Sequence, residues 1–333
     1  MALPPLSRRG FLTTSAGALA VAATGTSSVS GAQPAISPQI TRGPFIYPFR
    51  IGEVEAWSIS DANSMLGEGL GLMWPEEQRP TMQTVMEAHG EPAAIPLYVN
   101  VLLLRRGKEV LLFDAGFGER ENPNQGWLYE GLAAIGITPD QVTAGFLSHA
   151  HGDHINGFIK EGKAAFPNAA FHVLPAERDF WQGPNPDFSE SKRNKKPLPK
   201  MVASAQEKFE IMAPVTETLR DGDELFDGLV RVEASPGHTA GHCCFRIRSG
   251  DDELLHLMDL AHHHLLMFAD PNWTIAFDHH PVQAVVTRKK FWAQAAYQHT
   301  RCYGFHLPWP GIGQIVSDGS GYRWWPEAWK WVG

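Results

Sequence analysis

Six consecutive residues, His149-Ala150-His151-Gly152-Asp153-His154, carry four side chains able to bind a metal. Imidazole and carboxylate are the ligand types that suit zinc and its first-row neighbours, and a catalytic metal takes about three or four of them while keeping one position open. In an extended loop His149 and His151, two residues apart, point to the same side. Asp153 and His154 then turn toward a second point, an arrangement that suits a pair of metals.

The remaining ligands of such a site must come from far along the chain. Three candidates stand where apolar, strand-like runs end: His238 in Ser235-Pro236-Gly237-His238-Thr239, Asp259 after Leu254-Leu255-His256-Leu257-Met258, and His306 after Tyr303-Gly304-Phe305. The C-terminal ends of strands are where α/β folds build their sites. Asp114 closes Val110-Leu111-Leu112-Phe113 and enters a Gly-rich turn, a place from which a carboxylate can take the spare N–H of a metal-bound imidazole.

With these residues in hand, the chain resembles the metallo-β-lactamase superfamily over roughly residues 50–325, and most of all its branch of methyl parathion hydrolase and lactonase-like enzymes. The H-x-H-x-D-H run, the later Pro-Gly-His, the Asp at a strand end and the late His occur in the family's order. Supporting segments are Asp114 to Arg120, Phe166 to Ala169, Ala176 to Trp181, Val285 to Lys290 and His306 to Gly313. Ser148 and Met258 depart from the family's usual Thr and Gly, and neither change removes a ligand. The resemblance implies that His149, His151 and His238 hold one divalent metal and that Asp153, His154 and His306 hold another, with Asp259 bridging. Zinc is the expected metal, and Mn, Co or Fe would also suit the ligands. It implies an α/β (α+β) fold, the αβ/βα four-layer sandwich, built as a single domain over residues 33–333.

Two cations sharing a water lower its pKa, so the expected nucleophile is a metal-bridging hydroxide. A substrate carbonyl or phosphoryl oxygen bound to one cation would be polarised, and Asp153 and Asp259 are the expected catalytic carboxylates. The expected activity is ester hydrolysis, on a lactone, an aryl ester or an organophosphate triester. A β-lactamase and an iron-based redox enzyme of the same fold are the alternatives. A flavin-linked relative or a nuclease of this fold would need an added domain, which is not visible.

The elements that must position these residues read as strands at 54–59, 97–104, 110–113, 145–148, 170–174, 229–234, 243–247, 253–258 and 302–305, with helices at 127–135, 155–160 and 282–298. Residues 61–95 and 182–200 read as irregular and are expected to shape the substrate pocket. Phe117, Trp181, Phe188 and Trp273 are the aromatic candidates for its walls. The runs His262-His263-His264 and His279-His280 read as surface or loop histidines, with one of His262 to His264 close enough behind Asp259 to face the substrate.

A formal net charge of −8 disfavours nucleic acid as a partner. The one basic run, Lys192-Arg193-Asn194-Lys195-Lys196, reads as a solvated loop. Ser7-Arg8-Arg9-Gly10-Phe11-Leu12, followed by an Ala-rich stretch too short to span a membrane, reads as a twin-arginine export signal over residues 1–32. The mature protein is then expected in the periplasm or outside the cell, without a stable membrane anchor. Cys243, Cys244 and Cys302 imply no disulfide framework and read as small core side chains. The family resemblance points to a homodimer acting on a small-molecule ester.

Overall fold

Strands that are apolar on both faces need cover on both sides, and the chain meets this with two sheets packed face to face between helices. The computed structural model describes residues 44–92, 94–119 and 122–330. The export signal expected over residues 1–32 lies outside these residues.

The first sheet contains β1 (Ile46–Ile51), β2 (Val54–Leu66), β3 (Ile95–Arg106), β4 (Glu109–Phe113) and β5 (Ala144–Phe146). A small hairpin of β6 (Ile159–Lys160) and β7 (Lys163–Ala164) stands apart, and β8 (Ala170–Val173) and β9 (Thr216–Thr218) complete the sheet in the order β1-β2-β3-β4-β5-β8-β9. The second sheet runs consecutively through β10 (Glu224–Leu225), β11 (Val230–Ala234), β12 (Cys243–Ser249), β13 (Asp252–His256), β14 (Arg301–Tyr303), β15 (Ile312–Asp318) and β16 (Gly321–Pro326). Its one parallel pair, β13 with β14, is joined through the long helix Pro281–Gln298.

The period of two along β3 sorts its side chains between layers. Leu102 and Leu104 face inward with Phe113 and Phe146, meeting Val232, Phe245 and Ile247 of the second sheet. Val101 and Leu103 face outward, under Leu128 and Leu132 of the helix Leu128–Ala134 and Phe209 of the helix Leu198–Met212. On the far side Phe291, Trp292 and Ala295 of the long helix cover Leu255, Ile315 and Trp324. Each large apolar side chain buried this way contributes about 1.5–3 kcal/mol, so the sandwich is a rigid frame for the loops at its edge. Among the described residues no helix is long and apolar enough to cross a membrane.

The nine expected strands all form, with ends shifted by a few residues. The helix expected at 155–160 does not. Only Gly152–Ile155 is α-helical, and the chain passes through a tight 3-10 turn at Asn156–Phe158 into β6. Gly157 explains the break, because a Cβ there would stand 1.8 Å from the Ala115 carbonyl oxygen, which comes in from the neighbouring turn. The stretch 61–95 is also more ordered than its composition suggests. It holds the end of β2, a helical turn at Leu70–Met73 and the helix Arg79–His89, whose Met82 and Met86 are buried against Trp74 and Trp273. Cys243, Cys244 and Cys302 are free, buried thiols, as expected.

Candidate metal centre

Four loops leave the C-terminal ends of β5, β11, β13 and β14 and converge on one point. Residues following β5 bring His149, His151, Asp153 and His154; those following β11 bring His238, β13 brings Asp259 and β14 brings His306. Glycine makes the second loop possible. Gly237 has φ 133°, and a Cβ there would lie 2.3 Å from the Ala284 nitrogen, so only glycine lets His238 come this close to the long helix.

The seven side chains face one another through their polar atoms. His151 Nδ1 lies 2.9 Å from His149 Nε2 and 3.0 Å from His238 Nε2. Asp259 sits between two groups: its Oδ2 is 3.2 Å from His238 Nε2 and 3.4 Å from His306 Nε2, and its Oδ1 is 3.3 Å from His154 Nε2. Asp153 Oδ2 closes the second group, 3.4 Å from His306 Nε2 and 3.7 Å from His154 Nε2. All except Asp153 are buried, and His154 Nε2 and Asp259 Oδ1 have no hydrogen-bond partner. Buried polar atoms are rarely left this way. Imidazole lone pairs converging with carboxylate oxygens are the donor set of a first-row divalent cation, so the residues present fit one.

Electrostatics agree with that fit. Burial opposes charge on His154, yet Asp259, Asp153 and Asp114 outweigh it and hold the ring well above its ordinary range. His238 is pushed up to about 9 against the same burial, through its hydrogen bonds to Asp259 and Asp278. Burial, helped by His154, holds His149 well below the usual range. Asp259 is drawn well down because His154, His306 and His149 overcome its desolvation. The carboxylates thus create a field that calls for positive charge among largely buried side chains.

Three of the five rings are braced from behind at Nδ1 by a carboxylate or a carbonyl, which fixes Nε2 as the nitrogen that faces the centre. Asp114 Oδ2 accepts from His154 Nδ1 at 2.6 Å and from Ser148 Oγ, as the sequence suggested for this carboxylate. Four other supports escaped the sequence reading. Asp278 Oδ1 accepts from His238 Nδ1 at 2.9 Å, and the Tyr98 carbonyl accepts from His306 Nδ1 at 2.7 Å. Glu177, fully buried, accepts the backbone N–H groups of Ala150 and Gly241, Thr239 Oγ1 and Trp181 Nε1, tying the His149 loop to the His238 loop. His242 Nε2 accepts the backbone N–H of Asp259 at 3.1 Å.

A cavity of about 260 Å³ opens over the cluster. Asp153, Asp259, His262 and His306 form its floor, and Leu66, Leu72, Met73, Leu97, Phe117 and Phe277 supply apolar wall. Of the four aromatic residues expected there, Phe117 alone lines it. Trp181 is fully buried behind His151, tethered by Glu177; Phe188 packs on Trp181, Phe180 and His279; and Trp273 lies in the core beside Trp74. Their bulk is better satisfied in the core than at a solvent-facing wall.

The histidine runs are more buried than surface or loop residues would be, and one of the first run does face the cavity, as its closeness to Asp259 suggested. His262 is buried, lines the cavity and places Nε2 3.0 Å from Asp259 Oδ2. His263 and His279 are buried as well, His263 beside Trp74 and His279 within the Phe180, Trp181 and Phe188 cluster. The apolar helix Leu266–Ala269 draws the first run inward. The basic run is likewise not wholly solvated, since Arg193 reaches the cavity. Burial draws its guanidinium down to about 10, with Asp153 alone opposing.

A family model described as the metallo-β-lactamase superfamily matches residues 94–306. Among solved structures, the dizinc quorum-quenching lactonase AidC, in complex with an N-hexanoyl-L-homoserine product, is 27% identical with a TM-score of 0.83, covering 87% of this chain and 100% of its own. The hydrolase AbOPH of the β-lactamase superfamily is 27% identical with a TM-score of 0.76, covering 86% and 98%. A probable metal-dependent hydrolase from Staphylococcus aureus shares the fold at 19% identity and a TM-score of 0.67, covering 85% and 100%. No curated protein matches the sequence.

Proposed function

The chain belongs to the metallo-β-lactamase superfamily, and from that premise we propose that it hydrolyses ester bonds with two divalent metals, lactones and aryl esters first. In this reading His149, His151 and His238 hold one cation, Asp153, His154 and His306 hold the other, and Asp259 reaches both. Bound there, zinc or a similar cation supplies Lewis acidity and a water ionised near neutral pH.

The chain's own groups do the rest. Asp278 and Asp114 hold the Nδ1 protons of His238 and His154, so both rings present Nε2 to the centre. Asp153 is the most exposed of the seven, with 20% of its side chain accessible, and its carboxylate borders the cavity. It is placed to carry a proton toward a departing alkoxide. The apolar wall holds the acyl or aryl portion and excludes bulk water from the polar floor.

The observation that carries the proposal is the convergence of seven ligand-type side chains, six of them buried, beneath an apolar cavity. The likeness to a dizinc lactonase at 27% identity supports lactone as the leading substrate class. The test is kcat/KM of the metal-replete protein on a lactone, an aryl ester, an aryl phosphotriester and a β-lactam. A chelator-sensitive preference for lactone or aryl ester is expected, and a preference for the β-lactam would overturn the ester reading. The proposal includes export through residues 1–32, which predicts that Arg8→Lys with Arg9→Lys retains the protein in the cytoplasmic fraction.

A further inference from the structure

Within the basic run, lysine and arginine are used differently. Lys195 Nζ donates to the carbonyls of Phe188 and Ser191, which folds the loop back on itself. Arg193 points the other way, into the cavity. Its guanidinium lies 5.1 Å from the centre of the Phe277 ring; Nη1 is 3.4 Å from His151 Nε2 and Nη2 is 3.1 Å from Met201 Sδ. Among the described residues no carboxylate pairs with it.

These contacts orient the group without neutralising it. A neutral imidazole has one N–H, and in the two-metal reading His151 gives its Nδ1 lone pair to a cation. His151 Nε2 then carries the hydrogen and cannot accept from Arg193. A thioether is a weak acceptor, and the phenyl face offers a flat seat for the planar cation. The cavity's two carboxylates, Asp153 and Asp259, are engaged with the histidine cluster. A half-buried guanidinium with several free N–H groups beside an apolar wall is an incomplete pair.

We propose that Arg193 is a specificity-determining residue that selects esters bearing a carboxylate, gripping that group through its fork of N–H donors. The inference rests on the ester-hydrolase reading and narrows its substrate class. The guanidinium fork matches a carboxylate in two parallel hydrogen bonds, a geometry that an amine or a neutral carbonyl does not exploit as fully.

The test compares the 4-nitrophenyl monoester of glutaric acid with its methyl-capped neutral twin. Wild type is expected to favour the charged ester in kcat/KM by at least about tenfold. Arg193→Met should bring that ratio down toward one, and Arg193→Lys, which keeps the charge and loses the fork, should fall between. Calorimetry on the metal-loaded protein supplies a readout independent of turnover. Glutarate should bind at least about tenfold tighter than its monomethyl ester to wild type, and the gap should close in Arg193→Met. A ratio or a gap that survives Arg193→Met would overturn the assignment. If neither ester is hydrolysed the ester-hydrolase reading falls, while the glutarate comparison still decides the role of Arg193.

Discussion

The floor and the wall of the cavity are built on opposite principles. On the floor the polar side chains, Asp153 apart, are buried, and three of the rings and two of the loops are held by a second group: Asp114 behind His154, Asp278 behind His238, the Tyr98 carbonyl behind His306 and Glu177 between two loops. The wall is drawn from Leu66, Leu72, Leu97, Met201 and Phe277, side chains on separate segments that meet through apolar contact and carry one cation, Arg193. The floor leaves no freedom to its chemistry, because an unbraced ring could rotate its lone pair away. The wall can change residue by residue without touching the reaction, which is how one fold serves many substrates.

The two halves should therefore fail differently. Removing Glu177 attacks the floor most severely, since Glu177→Ala strands four buried donors. We expect a loss of about 3–5 kcal/mol, seen as a fall in Tm and in metal content together. A variant that melts like wild type would mean the two loops are fixed by something else. Asp278→Asn is milder. It keeps the shape of the side chain and weakens the grip on His238, with metal affinity expected to drop about 10–100-fold in competition with a chelator. An unchanged affinity would show that the brace is dispensable.

On the wall side, Asp61 anchors the turn carrying Phe117 by accepting the Phe117 and Leu128 backbone N–H groups. Burial pushes Asp61 up to about 6 from its ordinary 3.8, against the pull of those hydrogen bonds. A carboxyl whose folded pKa is raised contributes stability that is complete below about 4 and is lost as pH rises through about 6. Urea titrations should show this loss as about 2 kcal/mol between those limits in wild type, and Asp61→Asn should flatten it. An equal slope in both proteins would assign the pH dependence elsewhere. The smallest effect is expected at Phe277→Ala, which trims the wall and leaves the floor whole: KM for an aryl ester should rise about three- to tenfold with kcat nearly constant. A comparable loss in kcat would show that wall and floor are coupled.

The same contrast explains what the sequence could and could not reveal. His149, His151, Asp153 and His154 are legible because four ligand types crowd into one loop, and His238, Asp259 and His306 because each ends an apolar run. Their braces are not legible. Asp278 stands 40 residues from His238, and Glu177 lies 27 from Ala150 and 64 from Gly241, so nothing local marks either as a partner. The sheets could be read because alternating or continuous apolar runs have only one way to be covered. The wall could not, since Trp181, Phe188 and Trp273 are as suited to a core as to a cavity, and only the path of the loops decides between them. Arg193 was hidden by its neighbours, as a run of cations reads as solvated until one of them turns inward.

The central claim is that the buried floor binds two divalent metals and that ester hydrolysis depends on them. Metal content per chain, followed by elemental analysis alongside kcat/KM for a lactone during chelation and stepwise reconstitution, tests it most directly. The account predicts two equivalents of metal per chain and activity that disappears and returns with them. Full turnover by protein stripped of metal, or two tightly held metals with no turnover of any ester, would contradict it.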